Sequence, residues 1–285
     1  MRRVCFVAFL ALVLGIIACS RPEVILTTLD EARAAYGKGH FTEAERLYER
    51  YLQTEPNGKD RWEAWNRLLD IARNVLADND RAVALLDSMF LEFGEDSSKA
   101  WDLLAALAAS NEALRRWPEA VDDWKRCLNL PNLDRARTPE IYLRLARLYR
   151  VQREYDLTQQ SLKLCLEQSP TPEIKVECLY EWAQTLDYVH KRAQAQSAES
   201  AKGKTAYDPT NNLEQMKQRL EELLRLNAGT TERRAQAAFL LAEVYEGLGK
   251  KTEALRTLQS ILTTYPNPKV VEARIESLRG GKKKE

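Results

Sequence analysis

Gly39-x-Phe41-x-x-Ala44-x-x-x-Tyr48-x-x-Tyr51-x4-Pro56 is matched in its offsets by Gly249-x4-Ala254-x-x-x-Leu258-x-x-Ile261-x4-Pro266 near the other end of the chain. Twelve residues before each alanine lies a second small residue, Ala32 and Ala242. The frame fits again at Ala108, Trp117, Ala120, Trp124 and Cys127, and at Ala146, Tyr149, Tyr155, Thr158, Leu162, Cys165 and Pro170. A weaker copy holds Ala82, Leu86 and Met89, with Asp70 where a small residue is expected. Ala44, Ala82, Ala120 and Thr158 are each 38 residues apart, and Thr158 to Ala254 is two periods plus 20. Met216, Leu220 and Leu223 stand one period before Ala254, Leu258 and Ile261, which recovers the phase. The extra twenty residues therefore fall inside the fifth unit, between about Val189 and Asn211, after a first helix marked by Leu179, Trp182, Ala183 and Leu186.

This pattern resembles the tetratricopeptide repeat, whose unit is a pair of antiparallel helices. The resemblance implies an all-α fold, an α-α superhelix or tetratricopeptide-like solenoid of about six helix pairs over residues 24–279, although no single copy carries the full consensus. Small residues let two helices approach, aromatic and aliphatic side chains fill the gap, and proline stops the second helix. Each unit has an apolar face that it cannot bury alone, so neighbours stack. The period exceeds the family norm of 34, so longer connections are expected. Arginine at Ala44 or Ala120 is expected to force a pair apart.

Composition agrees. Eleven glycines and ten prolines are about 7% of the chain, below the usual ~12%, and 30% charged with 45% apolar residues suits helices. With 43 basic and 42 acidic residues there is no global field to draw nucleic acid, so no nucleic-acid partner is expected.

Met1-Arg2-Arg3 followed by the apolar run Val4–Ala18 has the layout of a signal peptide, and fifteen residues are short for the ~20 of a membrane span. The run ends Ile16-Ile17-Ala18-Cys19-Ser20, which resembles the lipobox of bacterial lipoproteins. That resemblance implies cleavage after residue 18, a diacylglycerol and a further acyl chain on Cys19, and a short linker at 19–23. Several acyl chains anchor durably where one does not. Ser20, in place of aspartate, favours the outer membrane, with the chain facing the periplasm. Loss of Arg2 and Arg3 takes two of the basic residues and leaves a formal charge of −1. Covalent lipid aside, no cofactor is expected and no metal.

In tetratricopeptide proteins the first helix of each pair lines a concave groove. Carried over to this chain, that geometry places Arg33, Tyr36, Arg67, Asn74, Arg147, Arg150, Tyr180, Gln184, Tyr188, Phe239 and Glu243 on the inner surface. Arginine and tyrosine are enriched at interface hot spots. The first four pairs read as more basic there and the last two as more aromatic and acidic, so an acidic, apolar partner segment would complement the surface. Leu29, Arg33 and Tyr36 do not reproduce the lysine, asparagine and arginine set with which some relatives grip a C-terminal carboxylate. The insertion, His190 to Pro209, reads as an exposed helical extension and a loop at Gly203 to Asn211, with Asp208-Pro209 capping a helix that begins near Asn212. It is either a binding feature or a tolerated surface loop. Six tryptophans (Trp62, Trp65, Trp101, Trp117, Trp124, Trp182) read as core filling rather than carbohydrate platforms. The tail 280–285 is basic and reads as a frayed end.

Of the remaining cysteines, Cys127 and Cys165 occupy equivalent places in adjacent units and read most simply as core residues. A disulfide between Cys165 and Cys178, across Pro170-Thr171-Pro172, is geometrically conceivable below a Cα separation of ~7 Å. Two histidines, His40 and His190, stand near no nucleophile motif, and no phosphate loop, Cys-x-x-Cys or His-Glu-x-x-His is present. No catalytic residues are expected. The layout resembles the helical-repeat lipoprotein of the β-barrel assembly machinery, and Tyr265-Pro266-Asn267-Pro268 resembles both it and the repeat domain that accompanies the Tol–Pal system; the insertion departs from both. The expectation is a non-enzymatic interaction scaffold for an envelope assembly. The alternatives are a murein-active or murein-associated factor, or an adaptor for a periplasmic protease, pilus or secretin system.

Overall fold

The computed structural model describes residues 27–168, 170–199 and 210–280. The signal run, Cys19, the 19–23 linker, the Asp208-Pro209 cap and the tail beyond Gly280 lie outside the described residues. Thirteen α-helices and no strands are found among the described residues: α1 Thr28–Gly37, α2 Phe41–Thr54, α3 Arg61–Asp70, α4 Asn79–Phe93, α5 Ser97–Ala113, α6 Trp117–Leu128, α7 Thr138–Val151, α8 Tyr155–Glu167, α9 Pro172–Glu199, α10 Thr210–Arg225, α11 Thr231–Gly247, α12 Lys251–Ser260 and α13 Pro268–Arg279. The first twelve follow one another as six pairs in chain order, five of them in close contact and the α3–α4 pair not, and α13 comes after them. The chain divides inside α4 into two compact units, residues 1–89 and 90–285.

Local chemistry starts and stops these helices. The Thr27 hydroxyl accepts from the Asp30 amide while Asp30 reaches back to the Thr27 amide, a reciprocal cap for α1. Asp96 caps α5 and Thr230 caps α11 in the same one-sided way. Proline opens α6, α7, α9 and α13, where its missing N–H is no loss.

The turns inside the first four pairs and the sixth share a left-handed residue. Gly39, Ala77, Arg115, Arg153 and Gly249 all have left-handed backbones, with φ of 78°, 53°, 58°, 64° and 73°. At four of them the amide after the left-handed residue closes onto the carbonyl five residues back: His40 to Ala35, Arg116 to Asn111, Glu154 to Tyr149 and Lys250 to Tyr245. Glycine takes that conformation freely, whereas other residues pay ~1–2 kcal/mol. The second turn differs because Ile71–Val75 widens into a π-helical turn, and Asp78 reaches back six residues to Ala72. This is the copy in which Asp70 replaces the small residue. Its carboxylate is held below the usual range by the Tyr36 hydroxyl and then by the Asn74 amide, which donate to it.

In the first unit, Ala32, Ala44, Tyr48, Ala64 and Leu68 pack in one buried cluster with Leu29 and Ile71. In the second unit the core is a relay. One cluster joins Leu104, Ala108, Ala120 and Trp124 to Ile141 and Leu145 of α7. The next joins Ala146 and Leu162 to Cys165 and Cys178, and a third joins Leu179 and Ala183 to Met216, Leu220 and Leu241. The last joins Ala242, Ala254 and Leu258 to Val271 and Ile275 of α13. Each cluster takes a pair and the first helix after it, so stability is passed between neighbours, and α13 covers the face that the sixth pair would otherwise leave to solvent. The architecture is the tetratricopeptide-like stacking of helix pairs expected from the repeat.

The insertion begins as helix: α9 runs 28 residues to Glu199, and α10 starts at Thr210. His190, which opens the insertion, lies in helix as expected but is buried rather than exposed. Cys165 and Cys178 form a disulfide with Cα atoms 6.8 Å apart, so Cys165 is a crosslink rather than a free core thiol. Among the described residues Cys127 is free, and burial pushes its thiol up to about 12, away from the reactive thiolate form.

Two outcomes follow for stability. Ala120 is fully buried at the α5–α6 crossing, so Ala120→Arg is expected to abolish a single cooperative thermal transition; an unchanged transition by circular dichroism would refute the scheme. The disulfide closes a loop of 13 residues, for which chain entropy predicts about 3 kcal/mol. Joint replacement Cys165→Ala and Cys178→Ala is expected to lower the urea midpoint accordingly.

Candidate functional site

The first helices of successive pairs in the second unit, α5, α7, α9 and α11, are joined by a ladder of ion pairs. Arg144 of α7 reaches Glu112 of α5 at 3.6 Å. Arg147 of α7 donates to both Glu177 (2.7 Å) and Glu181 (2.8 Å) of α9, and Arg150 pairs with Glu181 at 3.1 Å. Arg233 of α11 closes on Glu177 through two nitrogens, at 2.7 and 3.0 Å. Arg274 of α13 does the same to Glu246 of α11, with both contacts at 2.8 Å. Fork-to-carboxylate geometry of this kind is the form in which exposed pairs become specific.

The first unit carries its own version. Arg33 of α1 donates to Glu63 of α3, with Nε at 2.9 Å, and holds that carboxyl below its ordinary range. Tyr36 donates to Asp70, and the Arg67 guanidinium lies 4.6 Å over the Tyr36 ring. Asn74 completes the cluster by donating to Asp70 at 2.6 Å. Thus Arg33, Tyr36, Arg67 and Asn74 are brought together, but as a network already satisfied. The pairs Arg33–Glu63 and Arg147–Glu177 lie three periods apart and repeat one another. Sequence reading picked the arginines and missed the glutamates that neutralise them. An open basic surface awaiting an acidic segment is therefore not what these helices present.

The other predicted residues divide. Tyr180, Gln184, Phe239 and Glu243 share one pocket of about 410 Å³, together with Asp187, Arg233, Gln236, Leu240 and, from the loop after α12, Tyr265. Phe239 and Tyr265 stack at 5.0 Å between ring centroids, and Arg233 lies 4.3 Å over the buried Tyr180 ring. Burial raises the Tyr180 phenol and the Glu243 carboxyl. Burial acts downward on Arg233, yet the Glu177 carboxylate outweighs it and the guanidinium is held more firmly charged. Tyr188 lies elsewhere on α9, 45% exposed and stacked on Tyr155 at 5.2 Å. Asp187, Arg233 and Tyr265 were not anticipated; only the cap at Thr230 signalled that Arg233 opens a helix.

The tryptophans act mostly as packing. Trp124 is buried, while Trp65, Trp101, Trp117 and Trp182 border core clusters. Arginines cover some of their faces: Arg137 at 4.5 Å from Trp101 and Arg219 at 4.3 Å from Trp182. Among the described residues no group of three or more His, Cys, Asp or Glu side chains is disposed to hold a metal ion. No helix among them is long and apolar enough to cross a membrane.

Glu181 is the anion that the ladder depends on, its side chain 8% exposed between two arginines each 38% exposed. Glu181→Ala leaves Arg150 without its carboxylate and Arg147 with Glu177 alone, at a cost of about 1–3 kcal/mol after allowing for their exposure. Urea unfolding checks this; a loss below about 0.5 kcal/mol would show the ladder to be decorative.

The tetratricopeptide repeat family model matches residues 236–268, which span most of α11, α12 and the loop after it. No curated protein matches the chain. Among solved structures, a tetratricopeptide repeat protein from Parabacteroides merdae is 13% identical with a TM-score of 0.40, covering 88% of this chain and 97% of its own. YrrB, described as a tetratricopeptide protein with an unusual peptide-binding site, is 13% identical with a TM-score of 0.49, covering 80% and 98%. BtubC from P. vanneervenii is 14% identical with a TM-score of 0.48, covering 87% and 88%. Tetratricopeptide-repeat sequence is thus found at the sixth pair, within an all-α array of helix pairs.

Proposed function

We propose that this chain is a non-enzymatic protein–protein interaction scaffold, anchored at the outer membrane through lipid on Cys19, facing the periplasm and assisting assembly of an envelope complex such as that of outer-membrane β-barrels. The observation that carries the scaffold reading is the face formed by α9, α11 and Tyr265, where tyrosine, phenylalanine and charged side chains surround an open pocket. Aromatic residues and arginine in such a setting are the side chains that dominate binding energy at interfaces. Repeated helix pairs supply an extended surface for binding.

The envelope location draws support from two features. The Cys165–Cys178 disulfide suits an oxidising compartment and is foreign to a reducing cytosol. The Ile16-Ile17-Ala18-Cys19 run, which lies outside the described residues, has the order of an acylation signal. A lipid tether confines the scaffold to one surface, which raises its effective concentration toward partners on the same membrane. The mature chain's small net charge adds no electrostatic pull toward lipid, so the anchor alone would set that location.

Photocrosslinking in intact cells tests this. A photoreactive residue at Gln184 or Phe239, followed by mass spectrometry, is expected to capture an outer-membrane assembly protein. Repeated failure to form any protein adduct from either position, with the chain folded and present at the membrane, would overturn the reading.

A further inference from the structure

The geometry points to a more definite partner chemistry: we propose that the pocket between α9 and α11 is a socket for a cationic side chain, lysine or arginine, on an extended segment of the partner. This rests on the scaffold reading above and names what its pocket accepts.

Charge balance within the pocket carries the argument. Asp187 and Glu243 both face one lysine, Lys191, which stands 2.8 Å from the first and 4.0 Å from the second. The next carboxylate along α11, Glu246, is occupied by Arg274. Arg233 is committed to Glu177 and to the Tyr180 ring, so it is not available to neutralise either acid. Within ion-pair distance the two carboxylates thus share a single cation, whose own side chain is 60% exposed, and Arg274 acts on Glu243 only from beyond that distance. Glu243 is the less closely paired of the two, and burial, helped by the nearby Asp187 charge, pushes its carboxyl upward against the opposite pull of Lys191 and Arg274. An incoming cation would bring a closer countercharge to Glu243 in a partly desolvated place, where such pairing is stronger than in water.

The walls fit the rest of a lysine or arginine side chain. Phe239 and Tyr265 present tilted rings 5.0 Å apart beside the acids, and an aromatic face attracts a cation while its area covers an alkyl stem. The protein already uses this contact internally, with Arg233 over Tyr180 and Arg219 over Trp182. An acidic side chain would meet Asp187 and Glu243 and be repelled. The rest of the inner face in this unit does not compete, because Arg144, Arg147, Arg150 and Arg233 are paired along the ladder.

The test is fluorescence anisotropy of the full chain with four fluorescein-labelled peptides, Gly-Ser-Leu-X-Leu-Ser-Gly, in which X is lysine, arginine, glutamine or glutamate. The lysine and arginine peptides are expected to bind about tenfold more tightly than glutamine, as cation–π contact with a countercharge implies, and glutamate more weakly still. Glu243→Gln and Phe239→Ala should each reduce the preference to about twofold or less. Glu243→Lys should reverse it, favouring the glutamate peptide, an outcome that a misfolded variant cannot produce. Equal binding of all four peptides, or no binding of the lysine and arginine peptides to the unaltered chain, would overturn the socket. If crosslinking from the same face still captures a partner, the scaffold reading survives that result; if crosslinking fails as well, both fall.

Discussion

The whole arrangement rests on close contact between the two helices of a pair, made where a side chain is almost missing. Ala32 with Ala44, Ala108 with Ala120, Ala146 with Thr158 and Ala242 with Ala254 are all fully or nearly fully buried at twelve-residue separation. At such a crossing a larger side chain has nowhere to go, because protein interiors are filled to crystal-like density. The contact draws the flanking side chains, Tyr48, Trp124, Leu162 and Leu258, into the seam. Those in turn define the face on which the following helix docks. Everything downstream, the relay of clusters, the alignment of first helices and the ion ladder across them, depends on these pairs lying at a fixed spacing.

That alignment sets what the surface offers a partner. Residues thirty or thirty-four positions apart come opposite each other on adjacent first helices, as Arg33 does with Glu63 and Arg147 with Glu177 and Glu181. The face is consequently rich in charge but poor in unsatisfied charge. The exception is the region of Asp187, Glu243, Phe239 and Tyr265, where half-buried aromatic rings stand beside two acids in an open pocket. Helix burial and surface recognition are thus two results of one register.

Much of this was legible from spacing alone. The buried positions of every copy, down to Met216, Leu220 and Leu223 after the insertion, follow from a single period, since core packing is what the period encodes. The left-handed turn residues share that period, yet only Gly39 and Gly249 declared it; Ala77, Arg115 and Arg153 occupy a glycine-like backbone without a glycine-like side chain. The arginines were readable as surface residues, but their neutralisation was not, because partners lie on a different helix. Arg233 and Glu177 are 56 residues apart with the insertion between them, so no repeat arithmetic brings them together. The disulfide sat between: spacing made it admissible, and only the placement of α8 against α9 showed the sulfurs in bonding range.

Stacked helix pairs behave as a spring, since each interface is local and each can slide a little without disturbing those beyond it. The Cys165–Cys178 bridge ties the second helix of the fourth pair to the first helix of the fifth, immediately ahead of the pocket-bearing pairs. One joint of the spring is therefore welded while its neighbours are held by apolar contact and ion pairs alone. Elastic give in this unit is displaced away from that joint, toward the seams on either side. A partner pulling on the pocket would load the α9–α11 seam first, leaving the fourth and fifth pairs to move as one stiff block.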